Sequence, residues 1–197
     1  EGAALARAQG ATVVLLDDGF QNPALVKDAS LIVIDASRGI GNGCVFPAGP
    51  LRAPLPPQIA RTDALIVIGA GDAAEGIVAD VTRQGAAVLR ARLVPDQTSA
   101  DKLRGQRVLA FAGIGDPARF FATLRVSGVD VAEERIFADH HPFTSEEIER
   151  LVSTAKAKSL MLVTTEKDMA RIRSDMRLQK YADRIAVFAV TLSFDDD

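Results

Sequence analysis

Near the start of the chain, Val13-Val14-Leu15-Leu16 leads straight into Asp17-Asp18-Gly19-Phe20-Gln21. Four apolar residues ending in acids predict a buried parallel strand with carboxylates at its carboxyl end, where open α/β sheets bind ligands. One acid there can hold Mg²⁺ against nucleotide phosphates while its neighbour orients a water or a hydroxyl. The same residues also satisfy a plainer reading, an Asp-Asp-Gly turn with helix-capping acids.

A second stretch runs Asp35-Ala36-Ser37-Arg38-Gly39-Ile40-Gly41-Asn42-Gly43 and continues through Phe46-Pro47-Ala48-Gly49-Pro50-Leu51-Arg52. Glycines at alternate positions let backbone amides approach an anion, and Arg38 and Arg52 can neutralise phosphate charge. The alternative is a long Gly/Pro surface loop; loops of that length within a domain are more often functional or disordered than neutral.

The two histidines of the chain are adjacent, in Asp139-His140-His141-Pro142-Phe143. An acid beside an imidazole orients it and stabilises its proton-bearing form, as general acid–base work requires. Adjacent residues usually point apart, so a working partner of His140 can come from elsewhere in the fold. A histidine pair ahead of a helix also serves as a cap or a surface feature.

Two further stretches imitate a nucleotide site. Gly113-Ile114-Gly115-Asp116-Pro117-Ala118 follows an apolar run and satisfies the G-x-G-x-x-A form, with Asp130 placed as a ribose acid; Gly69-Ala70-Gly71-Asp72-Ala73-Ala74 has the same form. Both put an aspartate where pyrophosphate would sit, and Pro117 removes a donor from the first turn. They read as capped strand–helix turns. Thr165-Glu166-Lys167-Asp168 is explained by Thr165 as a cap with acids in the first turn, although Lys167 has the charge to face a phosphate.

The elements that must position these groups follow from apolar runs at residues 13–16, 31–34, 64–68, 107–112 and 160–164, near-continuous as in strands buried on both faces. Between them, residues 1–9, 72–84, 117–126, 145–157 and 166–173 read as helices, the fourth opened by Thr144 as cap with Glu146 and Glu147 at its positive end. The class is α/β with parallel sheets. Residues 88–94 and 185–194 read as ribbons, with Leu89, Ala91 and Leu93 on one face of the first and Val187, Ala189 and Thr191 on one face of the second. They bracket an αβ region and are expected to pair as a connector between two lobes.

At 197 residues, 48% hydrophobic, the chain can fill a real core, and a net charge of -3 gives it no basic field for nucleic acid. The lone Cys44 fits a reducing compartment, and no apolar run approaches the roughly 18 residues of a membrane span. The chain opens on Glu1 inside a helical pattern, as a sequence would that begins partway through a longer protein.

Taken together, Asp17-Asp18-Gly19-Phe20-Gln21, Gly39-Ile40-Gly41-Asn42-Gly43, Pro47-Ala48-Gly49-Pro50-Leu51-Arg52, Phe111-Ala112-Gly113-Ile114-Gly115, Asp139-His140-His141 and Thr165-Glu166-Lys167-Asp168 resemble the tetraacyldisaccharide 4'-kinase family, in the family's order and over nearly the whole chain. The resemblance implies an enzyme that moves the γ-phosphate of ATP to the 4' hydroxyl of a tetraacylated glucosamine disaccharide 1-phosphate, giving lipid IVA. It implies two α/β/α lobes joined by a two-stranded linker, the first P-loop NTPase-like and incomplete, the second Rossmann-like. On that scheme residues 1–87 belong to the kinase lobe, 88–106 to the linker strand and its connection, 107–184 to the second lobe and 185–197 to the return strand.

By the same resemblance Asp18 looks like the Mg²⁺-binding acid with Asp17 beside it, and Gln21, Asn42 and Arg52 look like nucleotide- or phosphate-facing groups. His140, with Asp139 adjacent, looks like the histidine that works with an aspartate in catalysis, that aspartate lying in a part not present here; whether His140 or His141 acts is open. The phosphate cradle G-x-x-x-x-G-K-[ST] is likewise not present, since the chain has no Gly-Lys dipeptide. Many family members carry Arg-Glu where this chain has Arg52-Ala53-Pro54. The family likeness further implies peripheral association with the cytoplasmic face of a bacterial inner membrane through the absent part, and a soluble fragment here; oligomeric state is left open. Two other readings stand beside it: a non-catalytic Rossmann-like nucleotide-binding module using Gly113-Ile114-Gly115, and a structural lobe that docks on a kinase.

Overall fold

In the computed structural model, which describes residues 2–195, apolar runs become strands wherever a neighbouring strand completes the ladder. The chain divides into two compact units, one running through Arg92 and resuming at Ser193, the other covering Leu93–Leu192.

The first unit contains helix α1 (Gly2–Ala8), strand β1 (Leu31–Asp35), the short helix α2 (Leu55–Ile59), strand β2 (Ala64–Ile68), helix α3 (Glu75–Arg83) and most of strand β3 (Ala87–Pro95). Strands β1, β2 and β3 are parallel neighbours, with Val33 opposite Ile66 and Ile66 opposite Leu89. Leu65 and Val67 of β2 are buried against Ile34, Ile59, Ala74, Ile77 and Val81. Helix α3 follows ordinary dipole logic, with Glu75 in its first turn and Arg83 in its last.

The second unit contains helix α4 (Gln97–Leu103), strand β4 (Arg107–Ala112), helix α5 (Pro117–Val126), strand β5 (Asp130–Ile136), helix α6 (Ser145–Ala157), strand β6 (Met161–Thr165), helix α7 (Glu166–Ser174), a 3₁₀ turn (Gln179–Arg184) and strand β7 (Ala186–Phe188). Its sheet has the order β5-β4-β6-β7, every pair parallel. Strand β4 shows why this sheet is covered on both faces. Leu109 and Phe111 join a core with Ile148, Leu151, Met169 and Ile172. Val108, Ala110 and Ala112 join a separate core with Leu103, Phe120, Phe121 and Leu124. That alternation is the period of two that a pleated strand imposes.

Side-chain caps start all four α-helices of this unit. Asp96, Asp116, Thr144 and Thr165 accept from the amides of Ser99, Arg119, Glu147 and Asp168 respectively, and Thr144 with Glu147 forms a full capping box.

The expected strand at residues 13–16 does not form. Val13, Val14, Leu15 and Leu16 are all exposed. A strand needs a neighbour to complete its ladder, and these residues pair neither with the edge strand β1 nor with any other described residue. Burial on both faces also fails for β1, where Leu31 and Val33 are exposed and Ile34 is buried. The ribbon expected over 185–194 divides at Ala189: β7 pairs with β6, while strand β8 (Val190–Phe194) lies beside β3 in the other sheet, whose order is β1-β2-β3-β8. Ala189 can break the ribbon because its backbone groups are satisfied locally, its carbonyl accepting from the Asp96 amide and its amide donating to Ser99 Oγ. Asp72 does not cap its helix, since α3 starts later with Ala74 at the cap and no side-chain bond. Strand β5 and helices α2 and α4 went unpredicted. Of the expected elements, Glu1 of the opening helix and the last two residues of the return strand lie outside the described residues.

Candidate active site

The first unit gathers three of the expected residues. Arg52 Nη2 donates to Asp18 Oδ2 at 3.0 Å, bridging 34 positions of sequence. Gln21 Nε2 donates to Gln58 Oε1 at 2.7 Å, and Gln58 Nε2 donates to the Ala53 carbonyl at 2.7 Å. Gln58 is buried at the end of α2, so it ties the Asp17-Asp18-Gly19-Phe20-Gln21 segment to the backbone next to Arg52. Asp18 sits in a tight turn at φ 54°. A Cβ on Gly19 would lie 2.5 Å from Leu16 Cβ, so the turn requires glycine there. The turn reading of these acids is therefore correct for the backbone, and it presents Asp18 to solvent, 76% exposed, with Arg52 as partner.

Asn42 spends its amide inside its own loop. Its Nδ2 donates to the Ala48 carbonyl at 2.8 Å and its Oδ1 accepts from the Cys44 amide at 3.1 Å. Gly39, at φ 57°, could not carry a side chain, because a Cβ would stand 2.2 Å from the Ala73 carbonyl oxygen. The Gly-rich segment is thus a braced loop.

In the second unit the sheet order places the second strand, β5, outside the first, β4, and the third, β6, on β4's other side. The winding reverses between β4 and β6, a switch point of the kind where open α/β sheets bind ligands at their carboxyl edge. Parallel pairing of β4 with β6 ends at Ala110 and Val163. Beyond that pair, side chains take up the backbone groups that the splaying strands release. Thr164 Oγ1 donates to the Phe111 carbonyl at 2.9 Å. The Gly113 amide donates to Asp168 Oδ2 at 2.9 Å. The Gly113 carbonyl accepts from the His140 amide at 3.1 Å and from Arg171 Nη1 at 2.8 Å.

Asp168 is fully buried, and its carboxylate also accepts from Thr165 Oγ1 at 2.9 Å and Arg171 Nη1 at 2.7 Å. A buried charge is tolerable only with this degree of satisfaction. Asp168→Ala is accordingly expected to destabilise the chain by about 3–5 kcal/mol, because it strands Arg171 and orphans the Gly113 amide. Urea unfolding of the 197-residue chain checks this; a loss below about 1 kcal/mol would show that the carboxylate is not a structural anchor.

His140 and His141 have different surroundings. His141 is tucked among Phe137 and Phe143, and its Nε2 stands 3.1 Å from both carboxylate oxygens of Glu147. The Thr144 backbone amide, joined by His141 and the Thr144 hydroxyl, holds the Glu147 carboxyl below the usual glutamate range. His140 is exposed and adopts φ 60°, uncommon for a residue with a side chain. Its Nδ1 lies 3.1 Å from Arg171 Nη2, and its Nε2 lies 3.8 Å from Asp139 Oδ2, beyond direct hydrogen bonding. Asp139 instead accepts the His140 amide at 3.0 Å.

The dinucleotide look-alike fails on the same geometry: the Gly113 amide is spent on Asp168 and Asp116 accepts from the Arg119 amide. Asp130 begins β5, opposite Arg107 at the start of β4, so it stands at the amino edge of the sheet and not where a ribose would bind. Gln58 and Arg171 were not singled out in the sequence. Arg171 left one signal, its spacing of three from Asp168 on a helix; Gln58 left none. Among the described residues no group of three or more His, Cys, Asp or Glu side chains is gathered for a metal ion, and no helix is long and apolar enough to cross a membrane.

Comparison with known proteins bears on the whole of this chain. The family model described as tetraacyldisaccharide-1-P 4'-kinase matches residues 1–197. Tetraacyldisaccharide 4'-kinase of Rhodopseudomonas palustris (strain ATCC BAA-98 / CGA009) is 66% identical over 197 residues, which are 100% of this chain and 57% of that protein. The proteins of the same name from Afipia carboxidovorans and Nitrobacter winogradskyi are 62% and 61% identical, each over 100% of this chain and 58% of their own length. The chain thus spans little more than half the length of these relatives. Among solved structures, "apo" form LpxK from Aquifex aeolicus in complex with ATP superposes with a TM-score of 0.54 at 24% identity, over 90% of this chain and 51% of that one, a likeness of fold.

Proposed function

Because this chain belongs to the tetraacyldisaccharide-1-phosphate 4'-kinase family, we propose that it serves an ATP-dependent kinase that phosphorylates the 4' hydroxyl of tetraacyldisaccharide 1-phosphate to give lipid IVA. The observation that carries the reading is the meeting of Asp18 and Arg52, a carboxylate able to hold a metal ion and a cation able to neutralise phosphate charge, as metal-assisted phosphoryl transfer needs in one place.

A magnesium ion fits the donor set. It takes hard oxygen ligands, commonly one or two carboxylates with phosphate and water completing the shell, and Asp17 and Asp18 offer adjacent, exposed carboxylates. Asp18 would hold it with Asp17 beside, and the ion would supply neutralisation of charge on the transferring phosphoryl group. The Asp18–Arg52 pair is exposed on both sides, so opening it costs about 0–1 kcal/mol. Arg52 can then present its two-pronged guanidinium to phosphate oxygens. Gln21 faces the nucleotide with its amide steadied by Gln58, and Asn42 braces the loop whose glycines bring amides toward an anion. In the second unit, His140 works with a carboxylate to handle the hydroxyl proton. Peripheral binding at the cytoplasmic face of the inner membrane suits a lipid disaccharide substrate.

Positioning and charge neutralisation supply nearly all catalysis of phosphoryl transfer, and this sequence has no Gly-Lys phosphate cradle. The 197 residues alone are therefore expected to show no ATP-dependent 4'-kinase activity, while the protein at its relatives' full length turns the lipid over. An assay of radiolabelled γ-phosphate transfer decides it. Turnover by the short chain would overturn the need for the cradle, and none by the full-length protein would overturn the assignment.

A further inference from the structure

We infer that Arg171 is the positioning residue of His140, fixing which ring nitrogen carries the proton; the inference rests on the proposed role of His140. Guanidinium groups donate hydrogen bonds and never accept them. With Arg171 Nη2 at 3.1 Å from His140 Nδ1, that nitrogen must be the acceptor. The neutral ring then carries its proton on Nε2, and His140 offers a hydrogen bond outward from Nε2. Such a ring steadies a carboxylate or a phosphate oxygen; it does not itself take up a proton at Nε2.

Arg171 is itself held in place. Nη1 is shared between the buried Asp168 carboxylate at 2.7 Å and the Gly113 carbonyl at 2.8 Å, leaving Nη2 for the imidazole. The Gly113 carbonyl also takes the His140 amide, so ring and guanidinium are registered to one backbone oxygen at the switch point of the sheet. The helical spacing of three between Asp168 and Arg171 would suffice for a purely structural ion pair. It gives no reason for the second nitrogen to reach an exposed histidine held at φ 60°.

Only two histidines occur in the chain, so ring ¹⁵N spectra of histidine-labelled protein are simple to assign. At a pH where the rings are neutral, His140 is expected to show an unprotonated Nδ1 and a protonated Nε2. Removing the donor in Arg171→Met should return the ring toward the mixed tautomers of a free imidazole. In the full-length enzyme Arg171→Met should lower kcat by about tenfold to a hundredfold with KM for ATP little changed, as for other groups that orient a functional histidine. Arg171→Lys keeps a cation beside Asp168 but lacks the fork that reaches both partners, so it should restore stability ahead of kcat. A protonated Nδ1 in the native chain overturns the inference even if the variants fail to fold. An unchanged ring spectrum in folded Arg171→Met also overturns it. His140→Ala with undiminished turnover would remove the functional role instead, whatever the ring spectrum shows.

Discussion

On the proposed kinase role, replacing Asp18 with alanine in the full-length protein is expected to lower kcat by about 10²–10⁴-fold, the several kcal/mol that a divalent cation held there would contribute to stabilising phosphoryl charge. The loss should fall on turnover and on magnesium dependence, with little effect on folding, since the carboxylate is 76% exposed and its ion pair with Arg52 is worth about 0–1 kcal/mol. One complication is local: Asp18 sits at φ 54°, where aspartate and asparagine are tolerated better than alanine. Asp18→Asn therefore separates the two effects. It keeps the turn and removes the charge, so it should match Asp18→Ala in lost turnover while melting closer to the parent protein. Near-normal kcat in Asp18→Asn, titrated with magnesium, would take Asp18 out of metal binding.

Legibility differed between the two units for a physical reason. In the second unit, strand β4 and helices α5 and α6 have the bounds that period and caps predict, because β4 is paired on both sides and covered on both faces, and the two helices pack on it. In the first unit the same rule misled: residues 13–16 carry the signature of a buried strand, yet lie exposed without a ladder partner. An apolar run records an environment the residues require, and the strand appears only where that environment is supplied. Strand β5 was missed for the opposite reason, since Glu133, Glu134 and Arg135 break its apolar pattern at the edge of the sheet.

The site shows the same division. Motifs fixed which residue types could act, and the resemblance fixed their expected roles, but the contacts joining them were not visible in one dimension. Asp168 read as an acid in the first turn of a helix capped by Thr165, which it is; nothing in the sequence showed that its carboxylate also catches the amide of Gly113, 55 positions earlier. Asp139 and His140 are adjacent, and adjacent side chains usually point apart: the carboxylate holds the backbone amide and the ring turns to Arg171, a partner the sequence did not name. Neighbours in a chain compete for local backbone groups before they serve one another's side chains.

On the proposed role of His140, His140→Ala in the full-length protein is expected to lower kcat by about 10²–10⁴-fold, the range for disabling a positioned acid–base pair, here by removing the ring that steadies its carboxylate. His141→Ala should act differently, because its ring is packed between Phe137 and Phe143 and paired with Glu147; its loss should appear as lower stability with kcat changed far less. The pair of variants therefore assigns the acting histidine by which parameter moves. His140→Gln sharpens the chemistry, since a glutamine amide reaches about as far as Nε2 and can donate there, but cannot exchange protons near neutral pH. If the ring works by donating from Nε2, glutamine should recover part of the turnover lost in alanine. If it works by accepting a proton, glutamine should be as poor as alanine, and the tautomer imposed by Arg171 would then be the wrong one for catalysis.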